Sequence, residues 1–207
     1  MRIRFILLLL FLLPVPLFAQ EEVDDRTFGG WEFFEVTKDF GSSPIYASFY
    51  YEHDNIQYRR LDNWYTRSTL GAKVFTWLKA AMLYDFMKEP SRETHHAMFD
   101  LIGTLKPGNF TISLRERYRH SWDPSAGTQS DEIRSRLKVQ YAIPGSRFSP
   151  YVAIEPITWT HWIKTRHYVA CNYNITDWFQ LEAYYLYYTY RSRPDMHVIG
   201  LGANFYL

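Results

Sequence analysis

The chain has 207 residues, enough for one domain, and its 23 Lys and Arg residues nearly balance 22 Asp and Glu residues, which argues against nucleic acid as a partner. A single cysteine, Cys171, excludes a framework of internal disulfides. Paired Cys-x-x-Cys, His-Glu-x-x-His, Gly-x-Ser-x-Gly and glycine-rich phosphate motifs are absent from the sequence, so we predict no catalytic site, no metal and no cofactor.

The first 19 residues differ in character from the rest of the chain. Arg2 and Arg4 precede an apolar run that Pro14 and Pro16 interrupt, and the run is followed by Ala19. This pattern predicts a secretory signal peptide over 1–19, cleaved after Ala19. A short segment at 20–27 and one domain at 28–207 would follow. An uncleaved anchor helix is the alternative, but the apolar run is short for a membrane span.

After the signal peptide, apolar and polar residues alternate with a period of two, and aromatic residues make up 19% of the chain, which suits strands. In chain order, we predict strands near 45–54, 62–75, 78–88, 94–105, 109–121, 130–142, 148–157, 161–174, 177–190 and 195–207, with a further candidate at 28–37. Most reach about ten residues, the length that a tilted strand needs to cross a bilayer. The predicted fold is therefore all-β, an antiparallel up-and-down transmembrane β-barrel of 10 to 12 strands.

The predicted connections fall into two alternating sets. Turn-forming Pro, Gly, Asn and Asp occur in short connections such as 106–109, 143–146 and 174–177. The other set is longer and polar, for example HSWDPSAGTQSDE at 120–132 and KEPSRETHH at 88–96. Short turns opposite long loops are typical of outer-membrane barrels, with the turns in the periplasm.

The two faces of the predicted strands differ sharply. In 109–120, Leu114 and Tyr118 share a face, and Arg115, Arg117 and Arg119 occupy the other. An apolar outside and a charged inside fit a barrel in lipid, and tryptophans near strand ends would form interfacial girdles. A water-soluble sandwich or a lipocalin-like cup is the alternative, because its strands also alternate.

The last strand, HVIGLGANFYL at 197–207, is apolar at every second position from Ile199 to Leu207. An open sheet edge in hydrocarbon leaves costly unpaired backbone groups, so we expect this strand to close the barrel against an N-terminal strand. The strand count leaves a parity problem. Including 28–37 gives eleven strands, so either that segment lies in the lumen or at the rim, or a twelfth strand exists.

If the face assignment holds, many charged residues line the lumen. The predicted lining residues are Arg67, Lys73, Asp85, Asp100, Arg115, Arg117, Arg119, Arg134, Arg136, Lys138, Glu155, Arg166 and Glu182, with Glu52 as a further acid. Nine basic groups would then meet five acidic ones, and the lumen would be net positive. Such charges could form a structural network that fills a narrow barrel, or they could bind or pass a small anion.

Other residues allow three further roles. A rim hydrolase site could use His95, His96, Asp100, His120, Ser121 and Asp123, although His95 and His96 are adjacent and should point to opposite faces. Metal binding by His95, His161 and His167 is a weaker option, because these residues are scattered. Trp159 and Trp162 could contact other envelope proteins or belong to a girdle.

Several stretches carry a family resemblance: FTISLRERYRHSW, RSRLKVQYAIPGSRFSPYVAIEP and MHVIGLGANFYL. Together they resemble the proteins catalogued as domain of unknown function 2490, over roughly residues 28–207. The resemblance implies a barrel in the outer membrane of a Gram-negative bacterium, in contact with outer-membrane lipid, and transfers no catalytic residue. The final strand also resembles the signal recognised by the barrel-assembly machinery, through Gly202, Phe205 and Leu207.

Overall fold

The computed structural model describes residues 27–57 and 60–207, so the predicted signal peptide lies outside the described residues. Eleven strands form one closed barrel. They are β1 (Phe28–Asp39), β2 (Ile45–Ile56), β3 (Arg60–Phe75), β4 (Leu78–Glu89), β5 (Arg92–Leu105), β6 (Phe110–Asp123), β7 (Thr128–Tyr141), β8 (Phe148–Thr158), β9 (Trp162–Thr176), β10 (Phe179–Tyr190) and β11 (Met196–Tyr206). In this part of the chain, we find no helix long and apolar enough to span a membrane.

The period of two in the sequence becomes the two faces of the barrel wall, because successive side chains of a strand point to opposite sides. Large apolar side chains such as Leu114, Val169 and Leu201 are exposed on the outside, whereas Arg117, Asp85 and Glu155 are buried inside. A soluble protein has the reverse arrangement. The all-β barrel that the sequence predicted is confirmed, and its outer surface is suited to an apolar surrounding.

The segment at 28–37 is part of the wall, which answers the parity question. It forms β1, which pairs with β2 in the antiparallel sense and with β11 in the parallel sense, from Phe28 opposite His197 to Thr37 opposite Tyr206. Both predicted solutions are wrong: segment 28–37 lies neither in the lumen nor at the rim, and the closed barrel formed by the described residues contains no twelfth strand. An odd number of hairpin-connected strands can close only through one parallel pair, so the purely antiparallel barrel needs correction at this seam.

The closing strand is held along its length, as the sequence predicted. Leu207 N–H donates to Thr37 O at 2.8 Å, and on the outer face the rings of Phe179 and Phe205 stack with their centroids 4.9 Å apart. Inside, Gly200 lies under the ring of Tyr184, its cross-strand partner, and an added Cβ would come within 2.0 Å of that ring. The glycine therefore makes room for an aromatic side chain that covers the strand from within.

The two ends of the barrel differ less than the sequence suggested. We call "turn end" the end that carries the connections 40–44, 76–77, 106–109, 142–147 and 177–178, and "loop end" the end that carries 90–91, 124–127, 159–161 and 191–195. The described connections at the loop end are therefore as short as those at the turn end. The predicted long loops are wrong, because most of their polar residues extend the strands.

Candidate functional site

The interior of the barrel contains a cavity of about 600 Å³. Lys164 and Arg193 contribute to its lining near the loop end, and Glu35 and Lys138 contribute near the turn end. The lining therefore comes from both ends of the barrel, and it is dominated by charged side chains and tyrosines. This lumen is the candidate functional site.

The structure places most of the predicted lining residues on the cavity. These are Arg67, Asp85, Asp100, Arg115, Arg117, Arg119, Arg134, Arg136, Lys138, Glu155, Arg166 and Glu182, together with Glu52. Lys73 is not among the lining residues. It lies next to a register irregularity near the end of β3, and its ammonium pairs with Asp39 at 3.0 Å on the exposed rim.

The expected surplus of positive charge is smaller than the sequence suggested. Ten basic and nine acidic side chains line the cavity. The basic residues that the prediction missed are Lys164 and Arg193, and the acidic ones are Glu35, Asp54, Asp62 and Glu89. Asp54 and Lys164 lie inside the predicted strands 45–54 and 161–174, but each also falls in a stretch that the sequence assigns to a loop, HDNIQYRR and ITWTHWIK, and the strands extend through both positions. Continuing the alternation of inward and outward residues beyond the apolar part of each strand would have placed these charged residues in the lumen.

The charges are segregated by sign around the barrel. We call "basic wall" the neighbouring strands β6 to β9, whose charged lining residues are Arg115, Arg117, Arg119, Arg134, Arg136, Lys138, Lys164, Arg166 and one acid, Glu155. We call "acidic wall" the neighbouring strands β1 to β5, whose charged lining residues are Glu35, Glu52, Asp54, Asp62, Asp85, Glu89, Asp100 and one base, Arg67. An electric field therefore crosses the lumen from one wall to the other.

Ion pairs hold the basic wall together around two carboxylates. Glu155 is 0% exposed; one of its oxygens lies 2.5 Å from Arg115 Nη2, and the other lies 3.5 Å from Arg166 Nη1 and accepts from Tyr168 at 3.2 Å. Nearer the loop end, Glu132 binds both Arg119 and Arg134, with 2.8 Å to Arg119 Nε. Each carboxylate therefore compensates two guanidinium groups.

Three cations of the basic wall form no ion pair within the described parts of the chain. Arg136 lies against the ring of Tyr168, with its Cζ 4.6 Å from the ring centroid, and Lys138 Nζ lies 3.8 Å from the centroid of Tyr151. Lys164 Nζ lies 5.5 Å from the centroid of Tyr188. Aromatic faces hold such cations while leaving their charge available to a ligand.

Within the described parts of the chain, one ion pair joins two lining residues of the acidic wall, and Glu35, Glu52 and Asp54 form no ion pair. Arg67 binds Asp85 through two hydrogen bonds of 2.7 Å, and its guanidinium lies over the rings of Tyr50 and Tyr65. Glu52 accepts a hydrogen bond from Tyr50. Two bonds of 2.6 and 2.7 Å between Arg117 and Asp100 join the acidic wall to the basic wall where β5 meets β6.

The residues considered for a hydrolase are divided between the two faces of the wall. His95 stacks on Trp122 outside, and His120 contacts Asp131 at 2.9 Å, also outside. Inside, His96 Nδ1 lies 2.8 Å from Ser121 Oγ. The inward carboxylates are bound elsewhere, since Asp100 pairs with Arg117, and Asp123 pairs with Arg92 at 2.7 Å and caps the next turn. The predicted set therefore does not assemble into a catalytic triad.

The remaining predicted features lie apart from the lumen. The described residues contain no cluster of three or more His, Cys, Asp or Glu side chains that could hold a metal ion. Trp159 and Trp162 are exposed at the loop end, where contact with other envelope proteins stays a prediction. The same holds for recognition of Gly202, Phe205 and Leu207 by the assembly machinery.

Comparisons with known proteins agree with the barrel. A family model described as "Protein of unknown function (DUF2490)" matches residues 28–197. A solved structure described as "KdgM porin" is similar with a TM-score of 0.52 at 11% identity, covering 81% of this chain and 87% of that chain. A NanC porin structure is similar with a TM-score of 0.53 at 14% identity, covering 84% of this chain and 91% of that chain. At such identities the likeness shows a shared fold. A search of curated proteins found no match.

Proposed function

The chain belongs to the family of proteins of unknown function DUF2490, and from that premise we propose that it is a porin-like barrel of the outer membrane. In this proposal, residues 1–19 direct export, and the domain at 28–207 spans the membrane. The lumen admits small polar solutes, whose anionic groups follow the basic wall. The proposal assigns the protein no catalytic role.

The placement in a membrane is supported by the wall itself. Hydrocarbon offers no partners for backbone N–H and C=O groups, so only a structure that pairs all its strands can cross it as a sheet. The barrel is closed by the pairing of β1 with β11, and its outer face carries exposed apolar side chains such as Leu70, Leu137 and Ile199. Both features meet the requirements of a span through lipid.

The proposal that anionic solutes pass through the lumen rests on the cations of the basic wall that have no ion-pair partner among the described residues. Arg136, Lys138 and Lys164 line the cavity and form no ion pair within the described parts of the chain. The buried Nε of Arg136 also has no hydrogen-bond acceptor there. Guanidinium and ammonium groups bind carboxylate, sulfonate or phosphate strongly, and a solute with such a group would supply what these cations lack.

The volume of the lumen favours passage or binding over a purely structural network. Ligand sites in proteins typically occupy about 300–1,000 Å³. The cavity of about 600 Å³ falls in this range although the ion pairs around Glu155 and Glu132 are already formed. The internal network therefore leaves room for a small solute.

The test measures ion currents through the purified barrel in planar bilayers, with a salt gradient that gives the ratio of anion to cation permeability. In the triple variant Arg136→Gln, Lys138→Gln, Lys164→Gln, we expect this ratio to fall roughly fivefold. Two unit charges about 4 Å apart in water attract each other by about 1 kcal/mol, which corresponds to that factor. Lys106→Gln, in an exposed turn, is the matched control and should leave the ratio unchanged.

Two results would contradict the proposal. Bilayers that stay silent with correctly folded protein would exclude a conducting lumen. A triple variant with the permeability ratio of the unmodified protein would show that anions do not follow the basic wall.

A further inference from the structure

We infer that the acidic wall binds the cationic group of a solute, so that the lumen selects solutes carrying both an ammonium and an anionic group. This inference rests on the proposed function, because it concerns what the same cavity admits. It gives a function to the carboxylates of the acidic wall, which the binding of anions at the basic wall does not require.

Among the cavity-lining residues of the acidic wall, two buried oxygen atoms have no hydrogen-bond partner within the described parts of the chain: Asp54 Oδ1 and Asn63 Oδ1. The two residues face each other as cross-strand partners on β2 and β3, and both line the cavity. Asp54 is only 8% exposed. Burying acceptors without donors is costly, so the pair favours a ligand that brings donors and positive charge.

An ammonium group fits this place better than a metal ion. It carries three donors and no acceptor, so it could bond to both oxygens at once. The described residues offer no group of metal-binding side chains. Glu52, on the same face of β2 as Asp54, lines the cavity beside them and accepts from Tyr50. A second carboxylate therefore adds negative charge to the place.

The protein's own cations are held away from these oxygens. Arg166 is the basic residue whose charge Asp54 and Glu52 both feel, and its guanidinium is retained by Glu155 at 3.5 Å. Its Cζ lies 5.1 Å from the ring centroid of Tyr188 and 5.7 Å from that of Trp31. Arg166 therefore stays with the basic wall and leaves Asp54 Oδ1 and Asn63 Oδ1 unbound.

The basic wall contains the opposite kind of unsatisfied group, buried hydrogen-bond donors without acceptors in the described structure. The buried Nε atoms of Arg115, Arg136 and Arg166 have no acceptor within the described parts of the chain. The residues that carry unbound donors thus line one side of the cavity, and those that carry unbound acceptors line the other. A simple anion would satisfy only the first set. A zwitterion would satisfy both, and the transverse field would orient it as it enters.

Two sulfonates that differ in one group test this inference. Taurine carries an ammonium where isethionate carries a hydroxyl, and their sizes are closely matched. Isothermal titration calorimetry on the folded barrel in detergent would give both dissociation constants. We expect taurine to bind roughly tenfold more tightly than isethionate, as for one additional hydrogen bond between charged groups. Asp54→Asn should abolish this preference while leaving isethionate binding unchanged.

Controls separate the inference from the proposed function. Asp131→Asn makes the same change on the outer face, where Tyr118 donates to the carboxylate at 2.6 Å, and it should keep the preference for taurine. Asn63→Leu removes the second oxygen and should weaken taurine alone, which provides a second variant should Asp54→Asn fail to fold. Equal binding of both sulfonates, unaffected by Asp54→Asn, would overturn the inference and leave the anion proposal standing. Failure of both to bind would overturn both.

Discussion

The basic wall and the acidic wall are built on the same plan with opposite signs. Each contains one lining residue of the minority charge, and that residue binds its neighbours: Glu155 holds Arg115 and Arg166, and Arg67 holds Asp85. The walls differ in how completely this compensation works. In the basic wall, Glu132 adds a second carboxylate, which binds Arg119 and Arg134, whereas Arg67 is the one lining cation among the described residues of β1 to β5.

The difference shows how a barrel can keep many like charges side by side. Removing one partner of a buried ion pair is far more costly than never having made the pair, because the other charge stays buried. A minority residue that serves two partners is therefore more important for stability than any single member of the majority. The charges left over are the ones available to a solute.

The largest effect is expected for Glu155→Gln. This change removes the carboxylate from between Arg115 and Arg166 and leaves two buried guanidinium groups close together. We expect the free energy of unfolding to fall by about 3–5 kcal/mol. Urea unfolding in lipid vesicles, followed by tryptophan fluorescence, measures it.

Glu93→Gln is the control for this prediction. Glu93 pairs with Lys88 at 2.7 Å, but both side chains are more than a third exposed. The change should cost less than about 1 kcal/mol. A cost for Glu155→Gln as small as that of the control would mean that the basic wall does not depend on its minority charge.

Arg67→Gln should have a smaller effect, because Arg67 compensates Asp85 at close range and lies on two tyrosine rings. We expect a loss of about 2 kcal/mol in the free energy of unfolding. Adding Asp85→Asn removes the uncompensated carboxylate and should recover much of that loss, as the same urea titration would show. A double variant less stable than the single one would show that Arg67 stabilises the barrel by compensating carboxylates other than Asp85. The two walls would then not be stabilised in the same way.

The sequence was sufficient to predict the two faces of the wall. Alternation placed Arg115, Arg117 and Arg119 inside and Leu114 outside, because a side-chain period of two leaves no other choice within a strand. The lumen as a charged site could therefore be predicted. The segregation of charge into two walls could have been found by grouping the inward residues strand by strand.

Other features depend on information that a single sequence does not carry. The parallel pairing of β1 with β11 follows once eleven strands are counted, but a period of two in 28–37 does not show by itself that this segment belongs to the wall. Asp54 and Lys164 were missed, because polar residues near a strand end look like a loop when the wall extends beyond the apolar band, and Arg193 was missed because it lies in the connection at 191–195. The unbound oxygens of Asp54 and Asn63 depend on cross-strand geometry that only the structure provides.

The smallest effect is expected outside both walls, at Asp195 in the connection between β10 and β11. The hydroxyl of Tyr187 donates to its carboxylate at 2.5 Å and the backbone N–H of Tyr190 donates at 3.1 Å, and these bonds lower the pKa of Asp195 below its usual range. A folded-state pKa below the unfolded one adds stability above about pH 4, and this contribution disappears as the pH falls through the folded value. Asp195→Asn should therefore lower stability slightly at pH 7 and leave it unchanged near pH 2, as urea titrations at both values would show. Since Asp195 does not line the cavity, the taurine preference should persist in this variant at pH 7. A loss of that preference would mean that the connection between β10 and β11, and not the acidic wall, recognises the ammonium.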